Sequence, residues 1–369
     1  MRDGFKDYWI SKLLFPKTYI IDKPGIIISK TSSKYSNKEV KRRMIYDFED
    51  IAANLQLKAS KNLGQSEADR LFYKIGKDVA VRYMLLSKAK KSPSFLQNSL
   101  INYLFDNLKG GGFSLAENVT YNVKEMSLIL KGKSNMICRK SKLSSFTSGL
   151  ISGFVSFLTG ENIEAESKCY DCPNNCIVIA NKSIEERYIP DTQKLMPMEN
   201  YNILNFPKFL MESEKYHTFN DLIKFGKVKV GSGKILFMGK ALIPIEAGCL
   251  ELVADYFVRI NKKDLLVNAL TESSEKLAEE FLKDKETISN KVKAIKIMLS
   301  AFGWGLADLK KYKKKIFFDF INAPINKYGF LYRASVVNGY INNIFNNNFR
   351  IERIDYPQNS NVKIVYSVS

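Results

Sequence analysis

The chain has 369 residues, 45% hydrophobic and 12% aromatic, which excludes disorder over most of its length and leaves room for two ordinary domains. Its 57 lysines and arginines against 38 acids give a formal net charge of +19. That balance attracts polyanions or acidic partners, and it equally describes a solvated basic surface. No run reaches the roughly 18 apolar residues of a membrane span. The N-terminal stretch MRDGFKDYWISKLLFPKTYIID scatters charge where a secretory leader keeps an apolar core, so a cytoplasmic protein with reduced cysteines is expected.

In chain order, residues 26–31 (IIISKT) read as a strand, and residues 41–55 turn from strand-like to helical. Residues 64–91 predict an amphipathic helix, with Leu71, Ile75, Val79, Tyr83 and Leu86 at helical spacing. Residues 92–108 open on Ser-Pro and predict a second helix, ended by Gly110, Gly111 and Gly112. Strands follow at FSLAENVTYN and EMSLILKG, then a helix over 143–158, then a hairpin with strands at 162–169 and 176–181.

The order then recurs. GKILFMGKALI (233–243) resembles the opening strand, 264–282 the first long helix, and KVKAIKIMLSAFG the second, ending at Gly303. WGLADLKKY and KIFFDFI read as strands, 328–345 as a helix and 350–368 as a hairpin. SGLISGFVSFLTGENIEAESKCY (148–170) lies on ASVVNGYINNIFNNNFRIERIDY (334–356) without a gap, at a constant offset of 186 residues. Gly153 falls on Gly339, Phe154 on Tyr340, Glu166 on Glu352 and Tyr170 on Tyr356. A period that long signals tandem duplication of a domain. The expected organisation is an N-terminal extension (1–23), a first domain (24–182), a linker (183–231) holding Pro190, Pro197 and Pro207, and a degenerate second domain (232–369).

Three of the five cysteines cluster as Cys169-x2-Cys172-x3-Cys176, in a turn with Asp171, Pro173, Asn174 and Asn175. Three thiolates need a fourth ligand to make a tetrahedral zinc site. Cys138 and the lone histidine, His217, are candidates for it. The alternatives are three reduced, partly buried thiols, or one disulfide with an odd thiol. The second copy has Asp355 and Val362 where the first has Cys169 and Cys176, so a metal there is not a requirement of the fold.

Enzyme signals are weak. GKS at 132–134 is not a phosphate loop, because Ser127 stands where that loop needs glycine. No GxGxxG follows a strand. With His217 the single histidine, no nucleophile–histidine pair is suggested, and a non-catalytic protein is expected. The basic clusters offer a nucleic-acid reading instead, carried by Lys41, Arg42, Arg43, Lys131, Lys133, Arg139, Lys140, Lys313, Lys314 and Lys315. They are spread over both copies with no helix-turn-helix or zinc-finger spacing.

LFYKIGKDVA (71–80), SGLISGFVSFLTGENIEAESKCY (148–170) and the Cys176-Ile177-Val178 strand together resemble the 4-vinyl reductase domain, also found in sensory domains of aromatic-responsive activators and in hydrocarbon-binding proteins. The resemblance covers 24–182 well and 232–369 less well. It implies an α+β fold related to a TRAPP subunit, with an antiparallel sheet against helices in each of two tandem copies. It also implies an apolar cavity for a small hydrophobic ligand, with Phe72, Ile75, Leu104, Phe146, Leu150 and Phe154 as candidate walls. It implies a zinc ion on the hairpin as well, with Glu166 carried over as an acidic ligand beside Cys169, Cys172 and Cys176. Residues three apart on a strand face opposite ways, so the strand must bend or end before Cys169 for that set to converge. Family members pair as dimers, so an internal pseudo-dimer or a homodimer is expected. The resulting expectation is a ligand-sensing or scaffold protein, with nucleic acid or an acidic protein as the alternative partner.

Overall fold

The computed structural model describes residues 19–32, 39–110, 115–133, 136–171, 175–185, 188–195, 216–231, 234–325, 328–357 and 361–368. The first repeat comprises β1 (Tyr19–Lys23), β2 (Ile26–Ser32), β3 (Glu39–Phe48), α1 (Glu49–Leu63), α2 (Gln65–Leu86), α3 (Ser94–Gly110), β4 (Leu115–Asn122), β5 (Ser127–Lys133), α4 (Ser145–Thr159), β6 (Ile163–Asp171) and β7 (Asn175–Lys182). The second comprises β8 (Val228–Gly231), β9 (Lys234–Phe237), β10 (Lys240–Glu246), α5 (Ala247–Arg259), α6 (Lys263–Leu282), α7 (Ile288–Ala301), β11 (Leu306–Tyr312), β12 (Lys315–Ile321), α8 (Leu331–Phe345), β13 (Phe349–Asp355) and β14 (Val362–Val368). Short helices at Cys138–Ser141, Thr192–Leu195 and Phe219–Lys224 decorate the two.

The chain is α+β, with antiparallel sheets packed against helices. Each repeat closes on a four-stranded sheet of the same order, β4-β5-β7-β6 and β11-β12-β14-β13. The third sheet, β1-β2-β3-β10-β9-β8, belongs to both repeats and reads the same from either edge. Its central pair has Tyr46 opposite Pro244, flanked by Phe48 opposite Leu242 and Met44 opposite Glu246. That register places a pseudo-two-fold axis at the Tyr46–Pro244 pair. Strands β3 and β10 are buried on both faces, which is why their sequences lack polar–apolar alternation.

Glycines set the closest helix contact. A Cβ built on Gly76 of α2 would lie 2.2 Å from the Phe146 carbonyl oxygen, and one on Gly149 of α4 would lie 2.0 Å from that of Tyr73. At Gly153 it would lie 2.5 Å from the Lys77 oxygen. Helices α2 and α4 therefore touch backbone to backbone. The second repeat repeats the contact, since a Cβ on Gly339 of α8 would meet the Thr271 oxygen of α6 at 2.2 Å. The shared glycine at the 186-residue offset is thus a packing requirement.

Strand β6 lies at a sheet edge, and hydroxyls take up its outward backbone groups. The Ile163 N–H donates to Ser156 Oγ at 3.0 Å, Ser152 Oγ donates to the Ile163 oxygen at 2.6 Å, and the Ala165 N–H donates to the Tyr73 hydroxyl at 3.3 Å. In the second repeat the Phe349 N–H donates to Asn342 Oδ1 at 2.9 Å, Asn342 standing where the first repeat has Ser156.

The structure departs from the sequence reading in three places. The single strand expected over 233–243 is two strands from Lys234 on, because Met238 and Gly239 at φ +48° and +85° make a tight turn inside an apolar run. Helix α5 has no predicted counterpart, although Glu251, Asp255 and Arg259 recur along it at helical spacing. Strand β1 falls inside the expected N-terminal extension and β8 inside the expected linker, yet each pairs as an outer strand of the shared sheet.

Candidate functional site

The six predicted pocket residues, Phe72, Ile75, Leu104, Phe146, Leu150 and Phe154, are all buried in the hydrophobic core. The glycine contact between α2 and α4 brings those helices together there. The first repeat instead opens a cleft of about 600 Å³ on its outside, where α2, the start of α4 and β6 meet. Its walls are Asp69, Arg70, Tyr73, Lys74, Ser145, Ser148, Ala165, Glu166, Ser167 and Lys168, and none of the six predicted residues is among them.

The site follows from local structure. Asp69, Arg70, Tyr73 and Lys74 come from successive turns of α2, and Ser145 and Ser148 from the first turn of α4. Tyr73 is anchored beneath the cleft: its hydroxyl donates to the Glu164 carboxylate, which also pairs with Lys77 Nζ at 2.9 Å. Burial, then the hydrogen bond to Glu164, raises the Tyr73 phenol well above its ordinary range, so it stays a donor. The α4 N-cap, Ser144, makes no side-chain capping bond. The arrangement offers three cations, two carboxylates, serine hydroxyls and an aromatic wall, a setting for a small molecule with a polar head. The sequence signals for it were the serines of α4 and the i, i+4 pair Arg70 and Lys74, both of which sit beside the stronger apolar stripe.

In the second repeat the start of α8 is held from α5. Glu251 of α5 accepts from the backbone N–H groups of Tyr332 and Arg333 at 2.9 and 3.3 Å, and pairs with the Arg333 guanidinium at 3.0 Å. Leu331, Ala334 and Arg350 stand there in place of Ser145, Ser148 and Glu164.

The hairpin cysteines fall differently from expectation. Glu166 is exposed on the outer face of β6, opposite Ile179, whereas Cys176 is 2% exposed on the inner face with Val178 and Ala180. The strand keeps its alternation through Lys168 and becomes irregular only between Cys169 and Asp171. Glu166 and Cys176 therefore face opposite sides of the sheet and do not converge, which corrects the carried-over ligand set. Cys169 lies opposite Cys176 in register. Its side chain, and all of Cys172, lie outside the described residues. Cys138 is buried, and His217 packs edge-on against Phe225. Among the described residues, no group of three or more His, Cys, Asp or Glu is placed to hold a metal.

The predicted basic residues divide into interior and surface. Arg42 and Arg43 are buried, correcting their assignment to a nucleic-acid face. Arg42 lies 4.0 Å over the Tyr83 ring and donates to Ser87 Oγ at 2.7 Å. Arg43 donates to the carbonyls of Gly25, Asn322 and Gly303 at 2.5, 3.0 and 3.3 Å, tying the repeats together. Both are buried because β3 is covered on both faces. Arg139 is corrected likewise, since its Nε donates to the buried Glu49 carboxylate at 2.8 Å. Lys133 pairs with Glu117, Lys140 with Asp50 and Lys315 with Glu352, all at the surface. Lys131, Lys313 and Lys314 are exposed, and the Lys41 side chain lies outside the described residues.

A second titratable cluster, missed in the sequence, sits between the repeats. Asp78 of α2 accepts from the Tyr256 hydroxyl of α5 at 2.5 Å and from that of Tyr188 at 3.0 Å. Burial pushes its carboxyl up to about 6, against the two hydroxyls that hold it down.

No family model matches the chain, and no curated protein matches it. Among solved structures it is similar to the phenol-responsive sensory domain of the transcription activator PoxR, solved with phenol. That likeness has 15% sequence identity and a TM-score of 0.29, and it covers 46% of this chain and 92% of that one. No helix among the described residues is long and apolar enough to cross a membrane.

Proposed function

We propose that the chain is a non-catalytic, cytoplasmic small-molecule-binding protein built as an internal pseudo-dimer, in which the first repeat carries the ligand and the second is its scaffold. The observation that carries this is the cleft at the start of α4, lined by Arg70, Lys74, Lys168 and serine hydroxyls, two of which, Ser145 and Ser148, give way to Leu331 and Ala334 in the second repeat. The resemblance to the 4-vinyl reductase domain and its TRAPP-related fold belongs to the same proposal. Its support is the repeated element order and the matching order of the two four-stranded sheets. The ligand carries a polar head, to match the cations and hydroxyls that line the cleft.

The test is native mass spectrometry and thermal shift of the full chain against a panel of small phenols and carboxylates. Binding that Ser148→Phe abolishes by filling the cleft supports the reading. Binding untouched by Ser148→Phe, or no binding across the panel, overturns it, and turnover of a bound compound replaces it with an enzyme. A hairpin zinc stays within the proposal on one observation, the register of Cys169 opposite Cys176. A zinc-sized mass lost in Cys169→Ala is its expected signature.

A further inference from the structure

The β11–β12 hairpin ends in KKYKKK (310–315), five lysines in six residues. Tyr312 pairs with Lys315, which leaves Lys313 and Lys314 as a two-residue turn. Lys313 sits at φ +53°, a left-handed conformation that favours Asn or Gly at such turns. The five lysines are exposed, and Tyr312 is 65% exposed among them. Lys313 Nζ lies 5.4 Å from the Tyr312 ring centroid, and Lys311 Nζ lies 4.7 Å from that of Phe345. Lys315 pairs with Glu352 at 2.7 Å, and Lys310 stands near Asp308 and Asp319. The remaining charge projects from the tip.

The first repeat supplies an internal control. Its β4–β5 hairpin occupies the same place in the fold, but its turn is Val123, Lys124, Glu125 and Met126. That tip is neutral and has no aromatic residue. Asn122 Oδ1 closes it by accepting from the Lys124 and Glu125 N–H groups at 3.0 and 3.3 Å. Duplication alone therefore does not account for the basic tip.

We infer that the β11–β12 hairpin tip is a contact site for single-stranded nucleic acid, with the lysines on phosphates and the Tyr312 ring as a stacking surface for a base. Lysines supply the sequence-independent, salt-sensitive attraction, and an exposed aromatic between them supplies the sequence-tolerant stacking that such strands use. A bilayer fits less well, because Tyr312 is flanked by charges and has no apolar patch beside it to insert. An acidic protein surface would use the lysines and leave the ring unused. This site is separate from the α2–α4–β6 cleft and does not depend on the function proposed for it.

The experiment is fluorescence anisotropy of the full chain with a labelled single strand of about 20 nucleotides, at about 50 to 200 mM salt, beside competition by heparin. The expected log–log salt slope is roughly −0.7 per phosphate contacted, hence about −2 to −3.5 for three to five lysines. Lys313→Ala with Lys314→Ala should flatten the slope by about 1.4, while Lys124→Ala at the control tip leaves it unchanged. Tyr312→Ala should weaken the oligonucleotide by about fivefold or more and leave heparin competition unaltered. Absence of binding by the unaltered chain overturns the inference, as does equal loss at the two tips. A Tyr312→Ala effect equal on heparin and oligonucleotide overturns it in favour of a generic polyanion or acidic-protein contact.

Discussion

Helices α4 and α8 occupy matching places in the order of elements, yet their first turns are held differently. In the first turn of α8 the N–H groups of Tyr332 and Arg333, and the Arg333 side chain, are held by the buried Glu251. Helix α4 starts at an open cleft with no side-chain cap from Ser144. Further along, the two agree: Gly153 and Gly339 each press on a neighbouring helix, and Ser156 and Asn342 each hold the first residue of the following strand. The contacts that packing requires are common to both helices, while the residues at their starts differ. The divergent end of the first copy is the place to look for binding.

The largest expected effect breaks the buried Glu251–Arg333 pair. Glu251→Ala leaves Arg333 buried without its carboxylate and strips the start of α8. It should cost about 3–5 kcal/mol, read from the midpoint of denaturant unfolding. A loss below about 1 kcal/mol would mean that Arg333 finds water once its carboxylate is gone.

Gly153→Ala and Gly339→Ala test the shared contact. Each places a methyl against a backbone oxygen, and each should destabilise by about 1–3 kcal/mol. A cost confined to Gly153→Ala would show that the helix pair of the second repeat can part freely.

The seam between the repeats should respond to pH. Burial raises the Asp47 carboxyl to about 7, and Asp78 is pushed up to about 6. Both lie above the ordinary value of 3.8. The folded chain therefore binds more protons than the unfolded chain between that value and the raised ones. Stability should rise as pH falls through 7 and 6, with the gain complete below 3.8. Melting temperatures across that range should show this rise, and Asp78→Asn should remove the part below about pH 6. An unchanged profile in Asp78→Asn would assign the dependence elsewhere.

The smallest effects are those of the exposed pairs on the two matching sheets. Removing Lys133 from Glu117, or Lys315 from Glu352, should change stability by about 0.5 kcal/mol or less in a denaturant titration. A larger loss for Lys315 would tie the basic hairpin to the fold rather than to a partner.

Much of the architecture was legible in the sequence. Long helices such as α2 and α6 carry enough turns for their apolar period to stand out, and the hairpins around Glu166 and Glu352 announce themselves by the gapless repeat. The candidate site was legible only in part. Tyr73 and Lys74 lie inside the quoted family signature or beside it, but Phe72 and Ile75 drew attention because apolar residues suggest either a cavity or a core, and the pattern is the same for both.

By itself the sequence determined much of the element order and the α+β class, because periodicity and spacing are properties of one chain segment at a time. What covers each face was decided only in three dimensions. Arg42 and Arg43 read as a basic surface until β3 became the middle of a six-stranded sheet buried on both sides. Glu166 and Cys176 read as neighbours until strand register sent them to opposite faces. Where α2 and α4 lie closest, three glycines let two backbones meet, and the cost of any side chain there depends on the helix it would strike.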